Sequence, residues 1–386
     1  MLKKLPVLIL LIVFIGVLYL FGYKVPSIDR NLNKVIDHAP YKVTEETQSF
    51  HDTLFIADLH ADTLLWRRNP DHRHDYGQTD LPRLRDGGVN LQVFSTVTKS
   101  PRGLNFDNNR ADAFDDITLL AMAHLWPPRT WNSLYQRAKY QSERLHKIEA
   151  DTANKFKIVR TRADLLNAKD GELLGLLATE GSHPLEGDLE NIDRLYAAGF
   201  RMMGLQHFFD NRLGGSLHGV EKGGLTKFGE EAVRAMAAKN IIIDVAHSSH
   251  ASVRDTLAAT DKPVIISHGG IRGTCEASNS RNLPDELLLQ IAQRRGIIGM
   301  AYFHPAVCDA TPQGIATSAI RAVILLGEDA ISLGSDFDGS ATTYLDTSEL
   351  AAITQALRNQ GLSDRVIRKI MGGNIRRFLL ESLPPE

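Results

Sequence analysis

The chain has 386 residues, of which 43% are hydrophobic and 23% are charged, and its formal net charge at pH 7 is −2. This length suits one large domain with an extension, and the apolar content is enough for a sizeable core. The near-neutral charge argues against a nucleic-acid partner, because phosphate binding requires a clustered basic surface.

Residues 1–23 differ in kind from the rest of the chain. Lys3 and Lys4 precede residues 5–22, which carry no charge and are rich in Leu, Ile, Val and Phe. As a helix this stretch would be roughly 27 Å long, close to the thickness of a bilayer's hydrocarbon core. We therefore predict an N-terminal transmembrane helix that contacts a lipid bilayer through residues 5–22. The two lysines predict a single-pass protein of the cell inner membrane, with its folded domain facing the periplasm or exterior.

A cleaved signal peptide is the alternative for this segment. Its apolar region is usually 7–15 residues long and is followed by a cleavage site of small residues. Here Phe21-Gly22-Tyr23-Lys24 follows, which lacks that pattern. The sequence therefore favours an uncleaved anchor over residues 1–23. Residues 24–50 form a polar connector with a short helix around 31–38, and residues 51–386 form one domain.

Eight short apolar runs in that domain are typical of buried strands, and seven of them end close to a polar residue able to bind metal or substrate. The repeated order of strand, polar residue and helix predicts a (β/α)8 TIM-type barrel, an α/β fold whose catalytic groups lie at the carboxyl ends of the strands. The runs are residues 54–58, 89–94, 173–177, 202–205, 241–245, 264–266, 297–301 and 331–333, and the polar residues are His60 with Asp62, Glu180, His207, His247, His268, Tyr302 and Asp336.

Each of these polar residues also has an ordinary structural explanation. His60 and Asp62 alternate along an extended chain and so point to one side, but such a pair is common by chance. A lone histidine such as His247 or His268 is more often a hydrogen-bonded core residue, and Glu180 alone could be an ion-paired loop residue. Asp336 could cap the next helix, although Asp338 is the better candidate for that role.

Taken together, these residues predict a metal centre, because they fall at the same place in successive repeats. Histidine nitrogen with carboxylate oxygen suits Zn²⁺, with Mn²⁺ and Fe²⁺ as alternatives. The three histidines His60, His247 and His268 and the three carboxylates Asp62, Glu180 and Asp336 would be six ligands, which is more than one four-coordinate ion requires. Two ions that share one carboxylate and a water would use them better.

The two cysteines, Cys275 and Cys308, follow the sixth and seventh runs. A disulfide between neighbouring loops is feasible outside the cytoplasm. Two free, buried thiols remain the alternative, since spacing alone does not decide between them.

The order of these motifs resembles that of the membrane dipeptidase (renal dipeptidase-like) family of zinc metallopeptidases, within the amidohydrolase-type barrels. The resemblance runs over residues 54–380. The matching stretches are Asp58-Leu-His60-Ala-Asp62, Thr79-Asp-Leu-Pro-Arg-Leu-Arg85, Glu180-Gly-Ser-His183, Gln206-His207, Asp244-Val-Ala-His247-Ser-Ser, Ser267-His268, Ser280-Arg281-Asn-Leu-Pro, Gly334-Ser-Asp336-Phe-Asp338-Gly and Gly372-Gly-Asn374.

The resemblance implies two metal ions that share one carboxylate. One ion would be held by His60, Asp62 and Glu180, and the other by Glu180, His247 and His268. Glu180 would therefore bridge the two ions, which we expect to be Zn²⁺.

It also implies roles for three further residues. Asp336 would handle the proton of the metal-bridging water, and His207 would steady the substrate carbonyl or the developing oxyanion. Arg281 would pair with the C-terminal carboxylate of the substrate. The expected function is that of a membrane-anchored binuclear dipeptidase, which hydrolyses the peptide bond of small dipeptides through a metal-bridging hydroxide.

One departure from the family pattern concerns substrate preference. Many relatives have Asn-Phe-Tyr after the seventh strand, whereas this chain has Ala301-Tyr302-Phe303. If the family tyrosine helps to bind substrate, Phe303 lacks its hydroxyl, and we expect Tyr302 to point the other way.

Two other functions remain open at this stage. A related barrel amidohydrolase that acts on N-acyl-D-amino acids or lactams would use the same metal ligands. An inactive envelope scaffold or binding protein is the more remote alternative, because damage among the ligands or at Asp336 would be expected and none is seen. The sequence leaves the oligomeric state open, with a homodimer as one option.

Overall fold

The computed structural model describes residues 16, 20–151, 153, 155–275 and 281–386. Within these residues nine parallel strands form one sheet, and a pairing between β2 and β4 closes eight of them into a barrel. The predicted (β/α)8 architecture is confirmed. The strands are β1 (Ile56–Ala61), β2 (Val89–Phe94), β3 (Phe156–Ile158), β4 (Leu173–Thr179), β5 (Phe200–Gly204), β6 (Ile242–Asp244), β7 (Ile265–Gly269), β8 (Ile297–Met300) and β9 (Ile331–Leu333).

The strand absent from the sequence prediction is β3. It pairs only with the first half of β4, where Phe156 lies opposite Leu173. β5 pairs with the same edge of β4 further along the strand, where Leu177 lies opposite Phe200. A strand of three residues with a lysine at its centre gives too weak an apolar pattern to be identified in a sequence,.

Fifteen α-helices surround the barrel in the described part of the chain. Several begin at a Ser or Thr whose side chain accepts a hydrogen bond from a backbone N–H of the first turn, as Thr226, Ser249 and Thr311 do,. The helices are α1 (Val25–Leu32), α2 (Glu45–His51), α3 (Leu81–Asp86), α4 (Asp116–Ala123), α5 (Leu134–Ala150), α6 (Arg162–Leu166), α7 (Glu190–Ala197), α8 (Lys227–Ala238), α9 (His250–Ala259), α10 (Asp285–Gln293), α11 (His304–Val307), α12 (Pro312–Leu326), α13 (Ala351–Asn359), α14 (Asp364–Arg368) and α15 (Asn374–Ser382).

The strands are buried except at Asn90 of β2 and Lys157 of β3, which are partly exposed, and their apolar side chains join two large clusters. The larger cluster packs strand residues such as Ile243 and Ile298 against the surrounding helices. The smaller one joins Ala57 and Leu176 to Phe378 of the C-terminal helix α15. Burial of apolar surface, which contributes a free energy of about 25 cal/mol per Å², therefore stabilises the strands in their register. Their carboxyl ends remain free for polar groups.

The polar connector, residues 24–50, is built into the domain in a way that its composition did not predict. α1 lies at Val25–Leu32, several residues before the helix expected around 31–38, and α2 follows at Glu45–His51. After α1 the chain runs beside the loop that follows β9, where Thr343 donates to the carbonyl of Lys34 at 2.9 Å. Asn33 accepts from the backbone N–H of Ser340, also at 2.9 Å.

A buried chain of ion pairs ties α1 to that loop. Arg68 Nε lies 2.8 Å from Asp29 Oδ2, and Arg68 Nη2 lies 2.8 Å from Asp338 Oδ1. All three side chains are almost completely buried. Burial raises the pKa of Asp29, whereas Arg68 opposes that rise. The arginine is therefore what allows two carboxylates to lie inside the protein.

The disulfide left open by the sequence is present. Cys275, which follows β7, is bonded to Cys308, and the two Cα atoms are 5.2 Å apart. The bond links the loop after β7 to the end of α11, so it joins neighbouring loops at the carboxyl end of the barrel.

Among the described residues, none of the helices is long and apolar enough to cross a bilayer. The predicted spanning helix, residues 5–22, lies for the most part outside the described residues. The anchor therefore stays a prediction.

We predict that Arg68→Met destabilises the protein by about 3–5 kcal/mol, because it leaves the carboxylates of Asp29 and Asp338 buried without their cation. The thermal unfolding midpoint of the full chain measures this. Arg73→Met is the matched control, since Arg73 pairs with Asp86 at the surface and should matter by less than about 1 kcal/mol. Equal midpoints for the two variants would show that the buried ion pairs contribute no more to stability than the surface pair does.

Candidate metal centre

Seven polar residues meet at the carboxyl ends of six barrel strands, and all of them are buried. The histidines and carboxylates come from different elements because parallel strands end at the same rim of the barrel. They are His60 and Asp62 at the end of β1, Glu180 after β4, His207 after β5, His247 after β6, His268 in β7 and Asp336 after β9.

Glu180 lies at the centre of this group. Its Oε1 is 3.7 Å from His60 Nε2 and 3.1 Å from His247 Nε2. The same oxygen is 3.5 Å from His268 Nε2, and Oε2 is 3.3 Å from His207 Nε2. One carboxylate thus faces four imidazoles.

Two further carboxylates complete the side of the cluster next to β1. His60 Nε2 lies 3.5 Å from Asp62 Oδ1 and 3.9 Å from Asp336 Oδ1. Neither His60 Nε2 nor Asp62 Oδ1 has a hydrogen-bond partner within the described structure, although both atoms are buried. Buried polar atoms in this state indicate that another partner is needed.

The donor set fits metal ions. Two donors that each lie about 2.1 Å from one tetrahedral ion are about 3.4 Å apart, and most of the separations above are close to that value. Two groups of donors have the required proximity, and Glu180 belongs to both. One group is His60, Glu180, His268 and Asp336, and the other is Glu180, His207 and His247.

These groups differ in membership from the ligand sets that the resemblance implies. Asp62 is in neither group, although it lies next to His60, and His207 takes the place expected for His268. His268 borders both sets, because its Nε2 is 2.9 Å from His247 Nε2 as well as near Glu180. The role of Glu180 as the shared carboxylate is the same in both arrangements.

Electrostatics also favours a bound cation. Burial raises the pKa of Glu180 well above its usual value, and the neighbouring Asp62 raises it further. Burial, with Asp62, likewise raises the pKa of Asp336 to about 7. Burial lowers the pKa of His247 and His268, which keeps both imidazoles neutral and able to offer a lone pair,.

Residues with no predicted role hold the donors in place. Ser267 Oγ lies 3.1 Å from His60 Nδ1 and 2.9 Å from His268 Nδ1, so one hydroxyl orients two rings,. Asp244 Oδ1 accepts from the backbone N–H of Ser267 at 3.0 Å. Asp58 accepts from the N–H of His60 and from Ser335. An aspartate inside an apolar run is a signal that could have identified both carboxylates, because a buried carboxylate requires partners.

Two of the donor residues have a left-handed backbone conformation, which residues other than glycine rarely adopt,. His247 has φ of 63° and Asp336 has φ of 63°. Such strain persists only where surrounding contacts enforce it, and it concentrates at functional sites. Gly339 can lie close to the Asp336 carboxylate because it has no side chain. A Cβ at Gly339 would lie 2.2 Å from Asp336 Oδ1.

A cavity of about 360 Å³ opens onto these donors. Arg281 lines it and is itself buried, donating to the carbonyl of His268 at 2.9 Å. Its guanidinium lies 5.5 Å from the ring of Phe303. The remaining wall is largely apolar and includes Leu65, Val97, Leu104, Phe106, Ile117 and Phe208. A small cavity with one cation and a few polar groups suits a small, partly apolar, anionic ligand.

The residues after β8 lie as the departure from the family pattern suggested. Phe303 lines the cavity, whereas Tyr302 is fully buried with its ring 5.4 Å from that of Phe337. Tyr302 was one of the polar residues taken as able to bind metal or substrate, and the structure does not bring it to the cavity.

His218 is a neighbour of the cluster that no sequence pattern identified. Its ring stacks on Phe208 at 4.7 Å and lies 5.1 Å from the ring of His247. Its Nδ1 lies 3.0 Å from the carbonyl oxygen of Phe106. Because it sits in the long loop after β5 rather than at the end of a strand, the strand-end rule could not select it.

A closed parallel barrel with buried histidines and carboxylates at its carboxyl-terminal end is the arrangement of a metal-dependent enzyme,. A sequence profile of the membrane dipeptidase family (Peptidase family M19) matches residues 44–382. The chain therefore belongs to that family, as its motifs predicted, and it is a metallopeptidase.

Similarity to individual proteins agrees with this assignment. Dipeptidase aclJ of Aspergillus oryzae is 28% identical over 351 residues, a match that covers 84% of this chain and 77% of that protein. Dipeptidase tcpJ of Claviceps purpurea is 25% identical over 372 residues, covering 93% and 82%.

Solved structures share the fold. The crystal structure of dipeptidase AC, a metallopeptidase of family M19, superimposes with a TM-score of 0.69 at 24% identity, covering 86% of this chain and 100% of that one. A metallopeptidase from Rhodobacter sphaeroides, liganded with a phosphinate mimic of the dipeptide L-Ala-D-Ala, gives a TM-score of 0.69 at 23% identity, covering 86% and 99%.

We predict that Glu180→Gln, which keeps the shape of the side chain but removes its charge, lowers the metal content from two ions per chain to fewer than one. Elemental analysis of the purified protein measures this. His60→Ala and His247→Ala should each retain one ion, and Glu190→Gln, a change of an exposed glutamate on α7, should retain both. Two ions bound to Glu180→Gln would be incompatible with a shared carboxylate.

Proposed function

We propose that this protein is a binuclear metal-dependent dipeptidase, and that it cleaves the peptide bond of small dipeptides. The observation that carries this proposal is Glu180, a single buried carboxylate that belongs to both groups of donors. The family assignment supports the chemistry, and the small cavity with its buried arginine supports the substrate class.

His60, Asp62 and Glu180 would hold one ion, and Glu180, His247 and His268 would hold the other. The nitrogen and carboxylate donors suit Zn²⁺ best, with Mn²⁺ and Fe²⁺ as alternatives. When bound, such a pair supplies a hydrolytic nucleophile from water at neutral pH and polarises a carbonyl group. The assignment of Asp62 as a ligand is supported by its buried Oδ1, which lies 3.5 Å from His60 Nε2.

Asp336 is positioned to move a proton during the reaction. Its Oδ1 lies 3.9 Å from His60 Nε2, and its side chain lines the cavity. The leaving amine of a peptide must depart protonated. Asp336 would take a proton from the attacking water and deliver it to the nitrogen of the broken peptide bond.

His207 would stabilise the substrate carbonyl as negative charge develops on its oxygen. The side chain lines the cavity beside Glu180. Burial lowers the pKa of His207 to about 4, so the ring stays neutral and acts through a ring N–H. A fixed donor aimed at a developing oxyanion is among the larger contributions to hydrolytic catalysis.

Arg281 would recognise the free carboxylate at the C-terminus of the substrate. Its guanidinium is buried in the cavity wall and Nε has no partner among the described residues. A planar guanidinium matches a planar carboxylate with two hydrogen bonds. A carboxylate bound one residue beyond the scissile bond would favour dipeptides over longer peptides. The dipeptide mimic bound by the Rhodobacter sphaeroides relative is of the same size class.

We predict that Arg281→Ala lowers kcat/KM on dipeptides roughly 30-fold to 1,000-fold, equivalent to about 2–4 kcal/mol, because a buried charge-assisted pair is lost. Arg281→Lys should recover only part of this. Dipeptide amides should be poor substrates of the parent enzyme and nearly indifferent to either change.

Steady-state kinetics on matched dipeptide and dipeptide-amide pairs makes this comparison. Equal hydrolysis of the two by the parent would indicate an amidohydrolase of another specificity, such as one acting on lactams or N-acyl-D-amino acids.

We also propose that residues 5–22 anchor the protein in the cell inner membrane by a single pass, with the barrel in the periplasm or exterior. The uncharged stretch and the preceding lysines support this,. We expect the mature protein to stay with membranes in alkaline carbonate and to keep its N-terminus. A mature chain that begins near Tyr23 would instead identify a cleaved signal peptide.

A further inference from the structure

The exposed apolar side chains of this barrel are unevenly distributed. Most of the large ones lie on α1, in the turn before it, on or just after α4, or on loops that follow the carboxyl ends of strands. Only two of those in the described structure lie elsewhere, Leu166 and Ile324, in the last turns of helices that precede β4 and β9 and so at the opposite end of the barrel. The others are Tyr23, Ile28, Leu32, Leu104, Phe114, Leu119, Met122, Leu125, Val220 and Tyr344.

Five of these residues, on two neighbouring elements, form what we call the rim patch: Ile28 and Leu32 on α1, and Leu119, Met122 and Leu125 on and just after α4. Val25 and Pro26 of α1 line the same surface cleft as His124, the residue that ends α4. The two elements therefore adjoin. Exposed apolar residues grouped on adjoining elements indicate an interaction site, whereas single exposed residues do not.

α4 has an unusual solvent-facing side for a short helix. Its residues Leu119 and Met122, three positions apart, are both exposed, and Leu125, which follows the helix with a left-handed backbone, is exposed as well,. On the other side, Ile117 of the same helix is buried and lines the active cavity. The rim patch thus lies on the outer side of an element whose inner side forms the cavity wall.

The course of the chain indicates what covers the patch. The apolar residues 5–22 lead into a π-helical turn, Leu20–Lys24, that continues without a break into α1. α1 is fixed to the cavity rim by the buried Asp29–Arg68–Asp338 ion pairs. A membrane anchor at residues 5–22 would therefore place the rim patch at the bilayer surface, with little freedom for the barrel to turn away.

We propose that the rim patch rests on the lipid bilayer, so that the active cavity opens beside the membrane instead of towards the bulk compartment. This inference rests on the anchor proposed above. Apolar side chains on one face of a short helix, close to an exposed aromatic residue such as Tyr23, are typical of segments that insert about 5–10 Å into the headgroup region.

The test uses the full chain reconstituted in vesicles. Leu125→Cys on the rim patch and Ile324→Cys at the other end of the barrel are matched positions, both exposed aliphatic residues (58% and 74%). Since both native cysteines are bonded, each variant carries one free thiol for a fluorescent label. Doxyl-labelled lipids then report contact with the bilayer. We expect at least about threefold more quenching at position 125 than at position 324.

The outcomes separate this inference from the proposed function. Vesicles that float without the protein would refute the anchor and the inference with it. Protein that floats but is quenched equally at both positions, or more at position 324, would refute the orientation alone. A label at 125 that is shielded from aqueous iodide but not reached by the lipid quencher would indicate a protein partner, which also overturns the proposal. Dipeptide hydrolysis by the same vesicles reports independently on the enzyme.

Discussion

The constraint on which the site depends is negative charge buried without enough positive charge beside it. The carboxylates of Glu180, Asp62 and Asp336 all lie within a few ångströms of His60 Nε2. The imidazoles around them are buried as well. The charge of Arg281 acts on Glu180 and Asp336, but its hydrogen bond goes to the backbone carbonyl of His268 rather than to a carboxylate. Desolvating three carboxylates costs several kcal/mol each unless a cation compensates. Divalent ions satisfy this requirement, and the free energy of binding them then contributes to folding.

The rest of the barrel supplies geometry for that cluster. Apolar packing on both sides of the strands fixes where the strands end, and Ser267, Asp58 and Asp244 turn the donors to face one another. The N-terminal connector takes part as well, because Arg68 joins α1 to Asp338, two residues after Asp336. The backbone at Asp336 and Asp338 is left-handed, and it is held by the carbonyl of His60, which accepts from the N–H of Asp336, and by Arg68, which pairs with Asp338.

The sequence predicted the fold, and it selected residues that the structure brings together, since both depend on local patterns. An apolar run followed by a polar residue reveals a strand end, and the eightfold repetition reveals the barrel. It failed where the determining contacts are long-range. β3 exists through its pairing with β4, α1 is placed by an ion pair with Arg68, and His218 reaches the site on a loop. The division of His207 and His268 between the two donor groups depends on differences in distance of less than 1 Å, which no sequence spacing encodes.

The most direct test of this account is an anomalous diffraction measurement on crystals of the metal-loaded protein. We expect two anomalous peaks per chain, each within about 2.0–2.3 Å of a different oxygen of Glu180. The nearest nitrogen of one peak should belong to His60 and that of the other to His247. A single peak, or two peaks of which one has no Glu180 oxygen as a ligand, would contradict the shared carboxylate from which the proposed chemistry follows.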